Sequence, residues 1–533
     1  MVGKCLNTLF AVFFIFALSS AQQSQSLTEE QDYSFCYGLH KDGQFQLALE
    51  ELTKFLKMYP GSPKRADAHY LTAECLIGLN RNTDALQRYE SFIKEFPKSA
   101  LRDDALFRTG EINFTQQKYA DAAKKFKQVL EDFPSSDLAG DAAYWVGESN
   151  YKLDELATAL KYYEICYTTY PQSQLADYAL YSIGWALEKT KDYTPALKKF
   201  EELIVRFPES KLISSARVRI GECHFHQKDY RKAIEFLASE KKKIKEQDEL
   251  GEADYLIGES YYHLEDFPNA LLQYEAFLRE HPAHRLQREV KYSLAWTYLK
   301  ENNPTKAATI FGELGEGEDD IAHASLFRKG VVLKLLGKRN EAEQAFTEVS
   351  TRKPNGTYAD NALYEIGLMQ YEAKQYKSAA TTLAGVGVRY PKSDVIVEAS
   401  RMLGESHLAE NNYPEALKAF RSAASKEGSD DVVADAMFQE AWTLIKLEQY
   451  GEAAAKFDQF LKANPKHTRA DEAYFWLAEA SFNEGKFKTA SQHYNEVTTK
   501  YPKSAKFVDA LYGHGWAQYK SGEYSSAIRA FEQ

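Results

Sequence analysis

"YALYSIGWALEKTKDYTPALKKFEELIVRFP", Tyr178–Pro208, is the stretch on which the fold turns. Apolar residues recur three and four apart in two successive runs, the spacing of two amphipathic helices, and a proline closes the second run. Stepping outward by 37 residues from Ala196 lands on alanine in both directions: Ala48, Ala85, Ala122, Ala159, Ala233, Ala270, Ala307, and then, after one step of 35, Ala342, Ala379, Ala416, Ala453, Ala490 and Ala527. Four residues after each alanine stands an aromatic residue or a leucine, as in Tyr89, Phe126, Tyr163, Phe200, Leu237 and Phe531. Twelve residues before it the residue is always small, as in Cys36, Ala73, Gly110, Ala295 and Gly515. The small residue and the alanine are expected to mark the close crossing of the two helices, because interaxial distance follows side-chain size at the contact.

Prolines keep the same register. Ten of the 15, from Pro60 and Pro97 to Pro465 and Pro502, close a second helix, and Pro195, Pro268, Pro304 and Pro414 fall where a second helix opens. Serine follows two residues later at Ser62, Ser99, Ser136, Ser173, Ser210, Ser393 and Ser504, where it is expected to cap the next helix. The phrase "FPKSA" at Phe96–Ala100 and its echo "YPKSA" at Tyr501–Ala505 are therefore one junction, written twice. Three junctions lack the proline: one near Lys243, one at Gly312–Asp320 and one at Ser425–Asp431, and bending or flexing is expected there.

These residues resemble the tetratricopeptide repeat: Leu180, Ile183 and Gly184 fit its opening signature, and Ala196, Phe200 and Pro208 its remainder. The early Trp of that signature is Leu180 here, and 37 exceeds the usual period. The longer form with "YPxS" or "FPxS" junctions is similar to exported bacterial envelope proteins such as the TolA-binding protein and BamD-type assembly factors. The resemblance implies an all-α fold, a right-handed superhelical solenoid of about 14 helix-turn-helix repeats with an extended concave surface. The reading of the chain is a signal peptide at 1–21, a short linker at 22–28 and the solenoid at 29–533. Units end near 60, 97, 134, 171, 208, 245, 282, 318, 354, 391, 428, 465 and 502, and the last, 503–533, is incomplete. A further segment beyond Gln533, or a longer parent chain, is expected on that ground.

The leader is read from Lys4, the apolar run Leu9–Leu18 and the small residues Ser19, Ser20 and Ala21. The run is about half of what a membrane span needs. Cys5 precedes it, so the exported chain is expected without a lipid anchor, in the periplasm or outside the cell. The net charge of −11 becomes −12 once Lys4 is removed, which argues against nucleic acid as a partner. The basic run Lys241–Lys245 reads as a solvated helix end. Cys36, Cys75, Cys166 and Cys223 are too few for a disulfide scaffold and are expected as buried thiols.

Phosphate loops, nucleophile elbows and zinc cysteine pairs are absent from the sequence. Cys223, His226 and His263 are the best metal candidates, yet their spacing matches no common ligand set, so no metal and no cofactor are expected. Aromatic residues of the first helices carry the functional reading. Three residues before the small column stand Tyr181, Tyr292, Phe438 and Tyr512 among twelve Tyr or Phe. One turn further come Trp185, Trp296, Trp442 and Trp516, or the glutamates Glu74, Glu111, Glu148, Glu222, Glu259, Glu405 and Glu479. Trp145 and Trp476 lie one turn before, which is expected to put all six tryptophans on one stripe. In the family this face lines the concave groove, so the resemblance implies a groove floored with rings and edged with carboxylates.

Two classes of function fit. The first is a non-enzymatic scaffold for protein or peptide partners of the cell envelope, in outer membrane assembly, with a basic or aromatic partner segment in the groove. The second is binding or processing of envelope polysaccharide such as peptidoglycan. Hydrolysis would need one carboxylate pair with divided roles, whereas these glutamates recur from unit to unit.

Overall fold

The computed structural model describes residues 28–426 and 430–533, and among them the helices are α-helical apart from one 3-10 turn at Lys241–Lys243, and no strand occurs. The leader thus lies outside the described residues, as does part of the junction Ser425–Asp431. The chain divides into two units, Met1–Gln273 and Tyr274–Gln533. In each, a helix packs on the next helix in sequence, and first helices also touch the first helix of the following repeat. Each unit is a helical solenoid.

A single repeat shows how the sequence dictates this. Its helices are Ala176–Lys189 and Tyr193–Arg206, each of 14 residues. Ala196, Phe200 and Leu203 are fully buried on one side, and Leu180, Ile183 and Gly184 meet them from the other. The small column proves to lie under the ring four residues after the alanine. A Cβ added to Gly184 would sit 2.5 Å from carbons of the Phe200 ring, and the same holds for Gly147 against Tyr163 and Gly221 against Leu237. The alanines are buried everywhere, but the close approach they accompany is made by the ring seated on the glycine.

Between the two helices one residue per repeat takes a left-handed conformation, at Gly43, Asn80, Gln117, Asp154, Lys191, Lys228, Glu265, Asn302, Gly337, Lys374, Asn411, Glu448, Gly485 and Gly522. The amide of Lys191 reaches the Glu188 carbonyl at 2.8 Å and that of Asp192 reaches Leu187 at 2.9 Å, the paired bonds of a Schellman closure. Ten of these positions hold a side chain where glycine would be free of strain.

The junction serines act differently from the expectation. Ser99 Oγ accepts from the Leu101 amide at 3.2 Å, while the helix opens only at Arg102 with no side-chain cap of its own. The serine therefore caps the tight turn ahead of the helix. Its hydroxyl then donates backward: Ser173 to Asp141 at 2.5 Å, Ser210 to Asp177 at 2.6 Å and Ser504 to Asp471 at 2.5 Å. Acids in the first turn of one first helix thus tie down the junction that opens the next repeat.

Where the proline is missing, the boundary shifts. The second helices shorten to Tyr230–Glu240, Pro304–Leu314 and Tyr413–Ala424, and the following first helices lengthen to Gln247–His263, Asp320–Leu335 and Asp430–Lys446. Two of these repeats bury an acid against a cation: Asp254 meets Lys241 at 2.7 Å, and Glu440 meets Lys456 at 3.0 Å and Arg421 at 3.2 Å.

Two substitutions test this packing by urea unfolding. Gly184→Leu is expected to destabilise by about 1–3 kcal/mol, since Phe200 cannot keep its seat, with Gly184→Ala milder because Ala73 tolerates Tyr89 above it. Lys191→Gly is expected to stabilise by about 0.5–1 kcal/mol, the left-handed strain relieved less the added freedom of the unfolded chain.

Candidate functional site

The aromatic column of the first helices packs edge-on against the seated ring of the second. Tyr181 lies 5.4 Å from Phe200, Phe107 5.1 Å from Phe126 and Tyr292 5.7 Å from Phe311. Phe438 has no surface at all: it is buried between Phe457 and Phe460, with the Arg469 guanidinium 3.5 Å from its ring centre. It belongs to the core and offers nothing to a ligand. Tyr181 and Tyr292 are half-buried, and Tyr512 is exposed.

The glutamates do not form a row of free carboxylates. Tyr89 donates its hydroxyl to Glu74, Tyr163 to Glu148 at 2.8 Å, and Tyr494 to Glu479 at 2.5 Å. In each pair burial, and then the carboxylate charge, raises the tyrosine far above its ordinary value, so the hydroxyl stays protonated as donor. Where the seated ring is Phe or Leu, the glutamate turns to arginine instead: Glu111 to Arg108 at 2.9 Å and Glu222 to Arg219 at 2.5 Å. Glu259 is engaged as well. The sequence carries a signal for this. Of the fourteen seated side chains, Tyr89, Tyr163, Tyr274 and Tyr494 are tyrosine, and each has glutamate fifteen residues earlier; the four tryptophans of that column accompany phenylalanine. A buried hydroxyl needs an acceptor, and a phenyl ring releases the position.

The tryptophans differ in exposure. Trp145 is half-buried, stacked on Phe126 at 6.1 Å and edge-on to Phe114 at 4.9 Å, and Trp476 packs beside Phe475 at 5.2 Å; both contribute to hydrophobic clusters rather than to an open stripe. Of the column tryptophans, Trp185 is 40% and Trp516 38% exposed, whereas Trp296 and Trp442 are half-buried, Trp442 in the same hydrophobic cluster as Trp476. An arginine of the following repeat covers two of them: Arg219 stands 4.2 Å over Trp185, and Arg328 5.1 Å over Trp296. Arg108 reaches back to Glu74 by the same spacing, at 3.5 Å. Lys446, on the same helix, sits 4.7 Å over Trp442. Arginine and column residue thus form a clasp between neighbouring repeats, worth about 0.5–2 kcal/mol where the ring is tryptophan.

Around Trp185 this clasp borders a cleft of about 380 Å³ lined by Tyr151, Trp185, Glu188, Tyr193, Arg219 and Glu222, with Lys189 and His226 at its edge. The Trp185 indole N–H donates to the Tyr151 hydroxyl at 2.9 Å, and Tyr193 stacks on His226 at 5.1 Å. Glu188 lies inward, accepting from the Cys223 thiol at 3.2 Å, with Arg219 no closer than 3.9 Å. Burial raises its carboxyl to about 7 against the opposing pull of Arg219. The proposed metal candidates are thereby dispersed: Cys223 serves Glu188, His226 stacks on Tyr193, and His263 stacks on Tyr230 at 5.0 Å. All four described cysteines are buried free thiols. Among the described residues no helix is long and apolar enough to cross a membrane.

Residues 41–100, 255–320 and 438–505 match one description of the tetratricopeptide repeat, and residues 361–393 and 509–533 match another. Residues 100–223 match the YfiO family, described as an outer membrane lipoprotein. No curated protein matches the chain. Among solved structures, a tetratricopeptide repeat protein from Parabacteroides merdae ATCC 43184 is 14% identical with a TM-score of 0.33, over 50% of this chain and 98% of that one. Naa15/Naa10 bound to HypK-THB is 14% identical with a TM-score of 0.36, over 94% of this chain and 80% of that one.

Glu188 gives the site a pH signature. Its carboxyl ionises near its ordinary 4.5 in the unfolded chain and near 7 in the fold, so its favourable contribution is whole below 4.5 and lost as pH rises through 7. Unfolding curves across that window are expected to show stability falling with pH, and Glu188→Gln to remove this part of the fall; an unchanged slope in the variant contradicts the assignment.

Proposed function

We propose, from the premise that the chain is a tetratricopeptide-repeat protein, that it is a non-enzymatic scaffold of the cell envelope holding a segment of a partner protein on the face of its first helices. The repeats themselves support protein interaction as the general role. The observation that carries the finer reading is the Trp185 cleft, where a partly exposed indole, two tyrosines and a carboxylate from adjacent repeats meet at the surface. Tryptophan contributes heavily to binding where it is anchored by its neighbours, as the Tyr151 bond and the Arg219 stack anchor this one.

The envelope is supported by the match of residues 100–223 to an outer membrane lipoprotein family, a stretch that contains Trp145, Trp185 and Glu222. The rings suit an aromatic partner segment, and Glu222, paired with Arg219, borders them, leaving its second oxygen toward a basic one. Carboxylates along the face recur from repeat to repeat and are tied to tyrosine hydroxyls or arginines, which supports binding rather than hydrolysis.

Capture of partners from envelope extract by wild type and by Trp185→Ala plus Trp296→Ala tests the proposal. The double variant is expected to lose the partner set while keeping its helical content, and wild-type capture is expected to weaken as salt rises well above about 0.15 M. Retention of the same partners by the variant contradicts the reading, as does binding to isolated cell-wall glycan with no protein captured.

A further inference from the structure

Cys36 and Cys75 stand 39 residues apart on the first helices of the first two repeats, in the helix 28–41 and in Arg65–Gly78. Both belong to one hydrophobic cluster with Leu39, Leu52 and Phe55, and they are 2% and 0% exposed. Burial first, then the Glu74 carboxylate and then Cys36, raises the Cys75 thiol. The other two cysteines are turned toward oxygen partners, Cys166 toward Ser173 at 3.8 Å and Cys223 toward Glu188 at 3.2 Å. Packing does not demand a thiol at either position: alanine serves in the place of Cys36 at Ala73, Ala295, Ala441 and Ala478, and in the place of Cys75 at Ala186, Ala480 and Ala517.

We propose that Cys36 and Cys75 are a redox pair, closing a disulfide that staples the first repeat to the second when the chain meets a small-molecule disulfide. The thiolate of Cys36 attacks one sulfur of oxidised glutathione, breaking its S–S bond and releasing one glutathione thiolate. The thiolate of Cys75 then attacks the Cys36 sulfur of this mixed disulfide and releases the second glutathione. Two protons and two electrons leave the protein, one S–S bond forms in it, and glutathione disulfide is reduced to two thiols. Burial, foremost, pushes Cys36 to about 11 and Cys75 to about 12, so attack is slow and proceeds through transient opening of the first repeat. That repeat leaves Phe35, Tyr37 and Met58 exposed, and a covalent tie to its neighbour restrains its opening.

The full chain is incubated with oxidised glutathione, in buffer and in urea just below the unfolding transition, and free thiols are then alkylated before proteolysis and mass spectrometry. A linked pair of peptides carrying Cys36 and Cys75, two hydrogens lighter than their sum, is expected in wild type, with Cys166 and Cys223 alkylated. Hydrogen exchange in the helix 28–41 is expected to slow roughly tenfold or more in the linked form. Cys36→Ala, which the fold accommodates, is expected to give no linked pair and no slowing. The proposal is overturned if both thiols remain alkylatable in both conditions, if they stop at glutathione adducts, or if the link joins other cysteines.

Discussion

Everything in each unit depends on one contact: a ring, or a leucine, from the second helix seated on a residue of the first helix that has almost no side chain. A Cβ at Gly110, Gly147, Gly184, Gly330 or Gly404 would lie within about 3 Å of that ring, so glycine there is what lets the helices approach and bury Phe126, Tyr163, Phe200, Phe346 and Phe420 completely. The contact is local. Each repeat buries its faces only against its neighbours, so the same solution must be written again in every unit, and the near-invariant spacing follows from that need.

The seated ring also decides what the exposed side of the first helix can carry. When it is tyrosine, its hydroxyl claims a glutamate on the adjoining face, as Tyr163 claims Glu148. When it is phenylalanine, that position is released: Trp185, Trp296, Trp442 and Trp516 occupy it in four repeats, and Glu111 and Glu405 in two others. Arginines from the next repeat then cover Trp185 and Trp296, so these rings stabilise the array and border its surface at once. The same contacts that join the repeats therefore hold these rings in place.

Much of this was legible in the sequence, for a physical reason. Fourteen copies of one pattern leave no ambiguity about which residues face inward, so helix positions, turns and the buried alanines could be read directly. What could not be read were choices made across repeats. Ser99 and its equivalents sit where a helix cap is usual, but they cap the preceding turn, and Ser173, Ser210 and Ser504 spend their hydroxyls on acids 32 or 33 residues back. Nor did the left-handed turn announce itself, since Lys191, Glu265 and Lys374 hold it without glycine. Trp145 and Trp476 stand one turn before that column on first helices of their own, and their rings turn into hydrophobic clusters, which spacing alone did not resolve. The pairing of Tyr with Glu fifteen residues apart was present in the sequence, and it becomes meaningful once the hydroxyl is known to be buried.

The central claim is that the first-helix face around Trp185, rather than the outer face of the second helices, receives a protein. A photo-crosslinking amino acid placed at Lys189, exposed at the rim of the cleft, and in a second preparation at Val205, 82% exposed on the second helix, addresses it directly. Irradiation in envelope extract should give a discrete protein adduct from position 189 and none from position 205. Adducts from 205 alone, or equal adducts from both, would contradict the account.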